Sequence, residues 1–277
     1  MPQRRTQLYS STFWSARRPQ FPLTPGHFVL RLNDPTISFD VGSAADLLHC
    51  YGRLGHALKA LMGARAAQLY MAVNWQPVGD AVGEPLAETS TPTLHLFFQW
   101  PGSTAAASAL RLPAHQRVAV EGTDALDTQL RDWLAANAEA VSEAGSSPAS
   151  TLNGQQRPFH IEPARPGPGE SFLGGHWTAV PLFHATTPAR LHPAALVELS
   201  GIMEQLASHS RPPFQGMTVW VTDQWNSPAP GTLHIFARRR GDASRQLADF
   251  VSGSGLMLPS MTDGQGKSAG PSPNVEK

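Results

Sequence analysis

The chain has 277 residues, of which 41% are apolar, and its 21 Lys and Arg residues balance its 21 Asp and Glu residues. This length suits two modest domains, and the neutral balance gives no electrostatic reason to expect nucleic acid or an anionic membrane as a partner. A single cysteine, Cys50, excludes an intrachain disulfide. The sequence has no apolar stretch as long as a signal peptide or a membrane span, so we predict a cytoplasmic protein.

The first half of the chain predicts one helix among three strands. Residues 1–25 are basic and contain prolines, and we expect them to form an arm laid over the domain. Leucines recur at three-to-four spacing over residues 44–62, which predicts a helix with Ser43 as a plausible N-cap and Gly63 as its C-cap. The predicted strands are residues 26–32, 68–75 and 93–100.

A second helix and a linker lead into the other half. Residues 123–141 carry apolar residues on one helical face, and residues 142–156 have the Gly and Ser content of a flexible linker. Pro193 stands in the first turn of a predicted helix at 193–207, where proline is favoured. Residues after Phe250 are predicted to be disordered. The predicted strands are residues 175–182, 217–225 and 232–239.

An internal repeat organises these elements. PTLHLF at 92–97 and GTLHIF at 231–236 are nearly the same, and Gly26-His27-Phe28 matches Gly175-His176-Trp177 at an offset of 149. At that offset Tyr70 falls on Val219, and the offset becomes 139 at Thr-Leu-His. The predicted division is an arm (1–25), a first repeat (26–121), a helix and flexible linker (122–174), a second repeat (175–250) and a disordered tail (251–277).

This order of elements resembles the histidine-triad (HIT)-like superfamily, in the branch of galactose-1-phosphate uridylyltransferases and dinucleoside polyphosphate phosphorylases. The motif of that branch is Ser-x-Pro-His-x-His-Leu-Gln, and residues 90–97 match it at the Ser, the Pro, the second His and the Leu. Thr93 and Phe97 replace its first histidine and its glutamine. The resemblance covers roughly residues 26–101 and 175–240. It implies an α+β fold of two HIT-like repeats, each an antiparallel sheet with a crossing helix, related by an internal pseudo-two-fold.

The resemblance also implies an activity. The chain would be a nucleotidyl transferase or phosphorylase acting on a nucleotide sugar or dinucleoside polyphosphate through a nucleotidyl-histidine on His95. Such a nucleophile needs one ring nitrogen with a free lone pair while the other donates to a fixed acceptor, and it needs donors around the phosphoryl oxygens. No cofactor is expected and no residue is assigned as a metal ligand, while the sequence leaves open whether a metal supports the fold. The candidate substrate-binding residues are Asn74, Ser90, Thr93, Gln99 and His234.

A second hypothesis is a non-catalytic HIT-like module, binding a nucleotide or a protein, that has lost the triad. A histidine on an apolar strand is more often a packed core residue than a catalyst. In an enzyme, His95 should face an open polar groove with a ring nitrogen bonded to a backbone carbonyl. In the module it should be buried under Phe97, or the groove should be filled. The helix face of His49, Arg53 and His56 is predicted to be solvated, and the sequence leaves the oligomeric state and the substrate's base and sugar open.

Overall fold

The chain forms an α+β fold with a large antiparallel sheet and few helices. The computed structural model describes residues 6–73, 82–86, 93–138, 158–164, 175–182, 191–209, 214, 216–225, 231–238 and 245–252. In those ranges the strands are β1 (Gln7–Ser10), β2 (Trp14–Arg17), β3 (His27–Leu32), β4 (Ala66–Val73), β5 (Thr93–Gln99), β6 (Phe159–Pro163), β7 (His176–Pro181), β8 (Gly216–Gln224) and β9 (Leu233–Arg238). The α-helices are α1 (Val41–Met62), α2 (Ala106–Leu110), α3 (Asp124–Ala136), α4 (Pro193–His209) and α5 (Arg245–Ser252).

The described strands make one continuous sheet in the order β1-β2-β3-β5-β4-β8-β9-β7-β6, and every pairing is antiparallel. The two halves of the sequence meet at its centre, where β4 pairs with β8 from Ala66↔Gln224 to Val73↔Met217. The shared sheet therefore joins the halves through backbone hydrogen bonds.

Helix α1 begins three residues earlier than its leucine pattern predicts. Its N-cap is Asp40, whose side chain accepts from the Ser43 backbone N–H at 2.9 Å, while the Ser43 hydroxyl accepts from the Asp40 N–H at 2.9 Å. Ser43 is thus the third residue of a capping box and not the cap itself. Gly63 ends the helix with a φ of 68°, as predicted, because a left-handed C-cap favours glycine.

The N-terminal segment is part of the sheet, which corrects the expectation of an arm lying over the domain. β2 pairs with β3, and β1 pairs with β2. Trp14 and Ala16 are buried, and the Trp14 indole Nε1–H donates to the Ser43 carbonyl at 2.9 Å. These short strands lack a long alternating pattern; pairing with β3 holds β2, and pairing with β2 holds β1.

The two faces of the sheet are covered differently. Helices α1, α3 and α4 pack on one face and bury the main apolar core. The opposite face carries the large aromatic residues Tyr70, Phe97, Trp220 and Phe236, and α2, α5 and Leu23 cover them. The sequence analysis predicted neither α2 nor α5. Within the described residues, no helix is both long enough and apolar enough to span a membrane.

Candidate functional site

The histidines of the two Thr-Leu-His stretches lie in one row across the sheet. His95 of β5 is opposite Tyr70 of β4, Tyr70 is opposite Trp220 of β8, and Trp220 is opposite His234 of β9. Directly opposite residues of antiparallel strands project from the same face of the sheet. The repeated motif therefore places both histidines on the face that α2 and α5 cover.

Each of these histidines is paired with a second histidine. His27 of β3 lies opposite Phe97, two residues along from His95, and its Nε2 is 3.0 Å from the His95 Nδ1. The backbone N–H of Leu23 donates to the His27 Nδ1 at 3.1 Å. A chain of hydrogen bonds therefore runs from a backbone amide through one imidazole to the next.

The direction of this chain fixes the position of every proton. A backbone N–H only donates, so the His27 Nδ1 must accept, and a neutral His27 carries its proton on Nε2. That Nε2–H donates to the His95 Nδ1, and a neutral His95 then carries its own proton on Nε2. Attack through Nε2 needs the opposite arrangement, with Nδ1 donating and Nε2 unprotonated, and attack through Nδ1 needs a lone pair that this hydrogen bond already occupies.

Burial keeps both rings neutral. His95 is 3% exposed, and desolvation lowers its pKa from 6.5 to about 3. Desolvation, followed by the nearby His95 and Arg18, lowers the pKa of His27 well below its ordinary value. Neither ring gains a proton near neutral pH, so the hydrogen-bond chain keeps its direction.

Aromatic rings surround the first histidine pair. Phe97 stacks on His27 with 4.2 Å between ring centroids and an angle of 23° between the planes. Tyr70 meets His95 edge-on at 5.9 Å and lies 4.8 Å from Trp220. The position that is glutamine in the family motif is thus filled by a ring that packs on a histidine and donates no hydrogen bond.

The second half contains a similar pair. The His176 Nε2 is 3.2 Å from the His234 Nδ1, and Phe236 stacks on His176 at 4.1 Å. Phe250 of α5 lies over His234 with a centroid separation of 4.6 Å. Desolvation lowers the pKa of both His176 and His234 to about 4.

Comparisons with known proteins found similar solved structures but no matching family model and no significantly similar curated protein. A GalT-like protein of Arabidopsis thaliana is similar in structure, with 13% identity, a TM-score of 0.46, and coverage of 87% of this chain and 81% of that one. An ADP-glucose phosphorylase of Arabidopsis thaliana with bound ADP-glucose has 12% identity, a TM-score of 0.43, and coverage of 85% and 75%. A uridylyltransferase has 11% identity, a TM-score of 0.39, and coverage of 91% and 82%.

These similar structures are a GalT-like protein, a phosphorylase and uridylyltransferases, the kinds of protein that the resemblance in the sequence names. At these identities and TM-scores, the neighbours carry no argument about what this chain binds or which reaction it performs.

Two of the predicted substrate-binding residues, Thr93 and Gln99, lie on β5, the strand that carries His95. Thr93 is half-buried at the start of β5, and Gln99 is buried at its end, where the Gln99 Nε2 is 3.5 Å from the Gln68 Oε1. Asn74 and Ser90 lie outside the described residues. Their roles stay predictions.

The sequence analysis did not select His27 and His176 as site residues. The signal was present in the matched triplets Gly26-His27-Phe28 and Gly175-His176-Trp177, which hold a histidine at the same position of each half. Each triplet begins a strand next to the one that bears the Thr-Leu-His histidine. The two repeats and the sheet order together indicate that His27 lies beside His95 and that His176 lies beside His234.

The other sequence candidates behave as structural groups. Arg53 is buried, which corrects the prediction of a fully solvated helix face, whereas His49 and His56 are exposed. Arg53 is buried because α3 packs beside α1 at this point. Its guanidinium donates to the carbonyl of Leu134 in α3 and to that of Ala138 just beyond the helix. Cys50 is buried, and desolvation raises its pKa to about 12, which is typical of an inert structural thiol. Among the described residues, no group of three His, Cys, Asp or Glu side chains could hold a metal ion.

Proposed function

We propose that this chain is a non-catalytic HIT-like module that acts by binding and does not form a nucleotidyl-histidine. The hydrogen-bond chain from the Leu23 amide through His27 to His95 carries this proposal. It occupies the lone pair of the His95 Nδ1 and leaves the proton on Nε2. Neither nitrogen of His95 then presents a free lone pair to a phosphorus atom.

The surroundings of His95 support the same conclusion. A phosphoryl-transfer site needs preorganised donors around the transferred oxygens, and removing one such donor typically slows a reaction by ~10²–10³. Phe97 donates none, and Thr93 offers one hydroxyl. Leu110 of α2 and Leu247 of α5 are fully buried in the apolar cluster on this face. This face is filled, as the binding-module hypothesis expects.

Nucleotidyl transfer is the second candidate, because residues 90–97 match the Ser, Pro, His and Leu of the family motif. In that case the partner is a nucleotide sugar or a dinucleoside polyphosphate, and Asn74, Ser90, Thr93, Gln99 and His234 contact it. Catalysis by His95 would first require breaking the Leu23–His27 hydrogen bond so that both tautomers reverse. We propose neither nucleic acid nor a membrane as a partner, and a cytoplasmic location remains a prediction.

We further infer that the two halves descend from a duplicated unit related by a pseudo-two-fold. The strand orders β3-β5-β4 and β7-β9-β8 correspond, and each includes one histidine pair. Tyr70 lies opposite His95 as Trp220 lies opposite His234, so β4 and β8 correspond at an offset of 150. That differs by one residue from the alignment of Tyr70 with Val219. The boundaries 26–121 and 175–250 stay predictions.

Trapping by rapid denaturation in alkaline detergent, followed by acid treatment of half of each sample, tests the proposal directly. The native protein, His95→Gly and His234→Gly are incubated with radiolabelled nucleoside triphosphates and nucleotide sugars, and protein-bound label is counted with and without the acid treatment. We expect no acid-labile label on any of the three proteins. An acid-labile label on the native protein that disappears in either variant would establish a histidine nucleophile and refute the module. Calorimetry with the same nucleotides on the native protein then distinguishes the two kinds of module. Saturable binding indicates a nucleotide-binding module, and no binding favours a module that interacts with another protein.

A further inference from the structure

An open cavity lies at the β1 edge of the described sheet, away from the histidine pairs. Its volume is about 560 Å³, within the usual range of small-molecule sites. β1 forms one wall, the C-terminal half of α3 forms another, and Arg53 of α1 adjoins both. The lining residues are Gln7, Leu8, Tyr9, Ser10, Arg53, Arg131, Leu134, Ala135 and Ala138.

The charge of this cavity is one-sided. Two guanidinium groups, those of Arg53 and Arg131, line it, and none of its described lining residues is acidic. Arg53 is 1% exposed, and the described residues place no carboxylate in an ion pair with it. A buried cation without a counter-ion is unfavourable, so the cavity wall holds a positive charge that the protein compensates incompletely.

The hydrogen bonds of Arg53 explain its position but not its charge balance. Its Nη2 donates to the Leu134 carbonyl at 2.6 Å, and its Nη1 donates to the carbonyls of Asn137 and Ala138. These carbonyls end α3, where the helix dipole supplies about half a negative charge. The Nε–H of Arg53 is buried with no partner among the described atoms. Among the described residues, carbonyl groups and no carboxylate therefore contact the buried guanidinium of Arg53.

The rest of the lining defines what kind of anion would fit. Arg131 is half-exposed on α3, and its Nη2 is 3.3 Å from the Thr128 Oγ1. Tyr9 offers a ring, 5.3 Å from the Arg53 Cζ, and a hydroxyl 3.1 Å from the His49 Nε2. Leucine and alanine side chains complete the wall. This combination suits an anionic group attached to a compact apolar or aromatic body.

We propose that this cavity binds a small organic anion, a phosphate or carboxylate with a compact apolar body. Arg131 contacts the anionic group, and Arg53 supplies the field that favours it. The site is separate from the histidine pairs, and it stands whether or not His95 is catalytic.

Phenyl phosphate and benzoate are suitable probes, with benzyl alcohol as the neutral analogue. Calorimetry should give saturable binding of at least one anion and none of the alcohol, and binding should weaken as sodium chloride is raised. In ¹⁵N spectra, the backbone amides of β1 and of the end of α3 should shift with the same saturation. The preferred anion distinguishes a phosphate from a carboxylate ligand.

Arg131→Gln is the decisive variant, since Arg131 is on the helix surface and Arg53 holds the end of α3. We expect it to weaken the affinity roughly fivefold or more, as loss of a half-exposed charge contact predicts. Arg65→Gln removes the same charge from an exposed residue outside the cavity and should leave the affinity unchanged. The proposal is overturned if neither anion binds saturably, if the alcohol binds equally well, or if Arg131→Gln changes nothing.

Discussion

Acid should destabilise this protein through its buried histidines, and replacing His95 should remove a measurable part of that sensitivity. The folded protein keeps the His95 ring neutral, with a pKa of about 3 against an ordinary value of 6.5. The unfolded chain therefore binds this proton more tightly than the folded chain does. Stability from this ring is fully present above the unfolded pKa and is lost as pH falls below it.

The expected magnitude follows from the width of that window. A ring that is protonated only in the unfolded state lowers the free energy of unfolding by up to ~1.36 kcal/mol for each pH unit below its unfolded pKa. Between about pH 6.5 and about pH 4.5, His95 should contribute about 2 kcal/mol of lost stability. His27, His176 and His234 also have lowered pKa values and add losses of the same sign.

Urea unfolding at several pH values in this window measures the effect. His95→Gln keeps an oxygen acceptor for the His27 Nε2–H and removes the titrating ring. It should lose about 2 kcal/mol less than the native protein across the window, whatever its stability at neutral pH. His56→Gln, at an exposed histidine, is the matched control and should follow the native protein.

The reasoning fails if the native protein and His95→Gln lose the same free energy between these pH values. That result would mean that the folded protein accepts a proton at this pair as readily as the unfolded chain does. The slope with urea concentration must agree among the proteins at each pH, because a changed slope signals a different unfolded state.

Three substitutions test the packing that supports the site. Asp127→Asn leaves Arg18 buried without its 2.6 Å carboxylate partner and should cost roughly 3–5 kcal/mol in urea unfolding; a near-neutral result would mean that the pair is solvated. Gly26→Ala places a Cβ 2.1 Å from the Phe98 carbonyl oxygen, a backbone atom, and should lower stability by roughly 1–3 kcal/mol. Gly52→Ala meets open space within α1 and should raise the thermal midpoint through a gain of roughly 0.5–1 kcal/mol, so equal effects at the two glycines would contradict the reasoning.

The sequence predicted the elements whose periodicity is long and strong. The leucine spacing of α1 and the Thr-Leu-His strands gave their positions to within a few residues, and the antiparallel arrangement is confirmed. β1 and β2 have four residues each, too few for an alternating pattern to stand out. They form strands because β2 pairs along the edge of β3 and β1 pairs along β2. α2 and α5 are short helices stabilised by packing on the aromatic face, which local patterns do not reveal.

The candidate site was predictable only in part. The repeat identified His95 and His234 as corresponding residues, and the register places them in one row. The tautomer of His95 depends on a backbone amide and on His27, which are distant in sequence. No local motif encodes the direction of that hydrogen-bond chain. The protonation state of His95 is therefore set by a residue of a neighbouring strand, and only the fold shows which strand that is.

The central pairing of β4 with β8 has a consequence for how the protein is made. Met217 follows Val73 by 144 positions, so β4 leaves the ribosome long before β8, its partner from the other half, exists. At ordinary translation rates that interval is roughly 7–30 s. During that time a newly made strand with unpaired backbone groups is open to pairing with other chains. The nascent first half is therefore a natural client for chaperones, and a fragment that ends before β8 should aggregate.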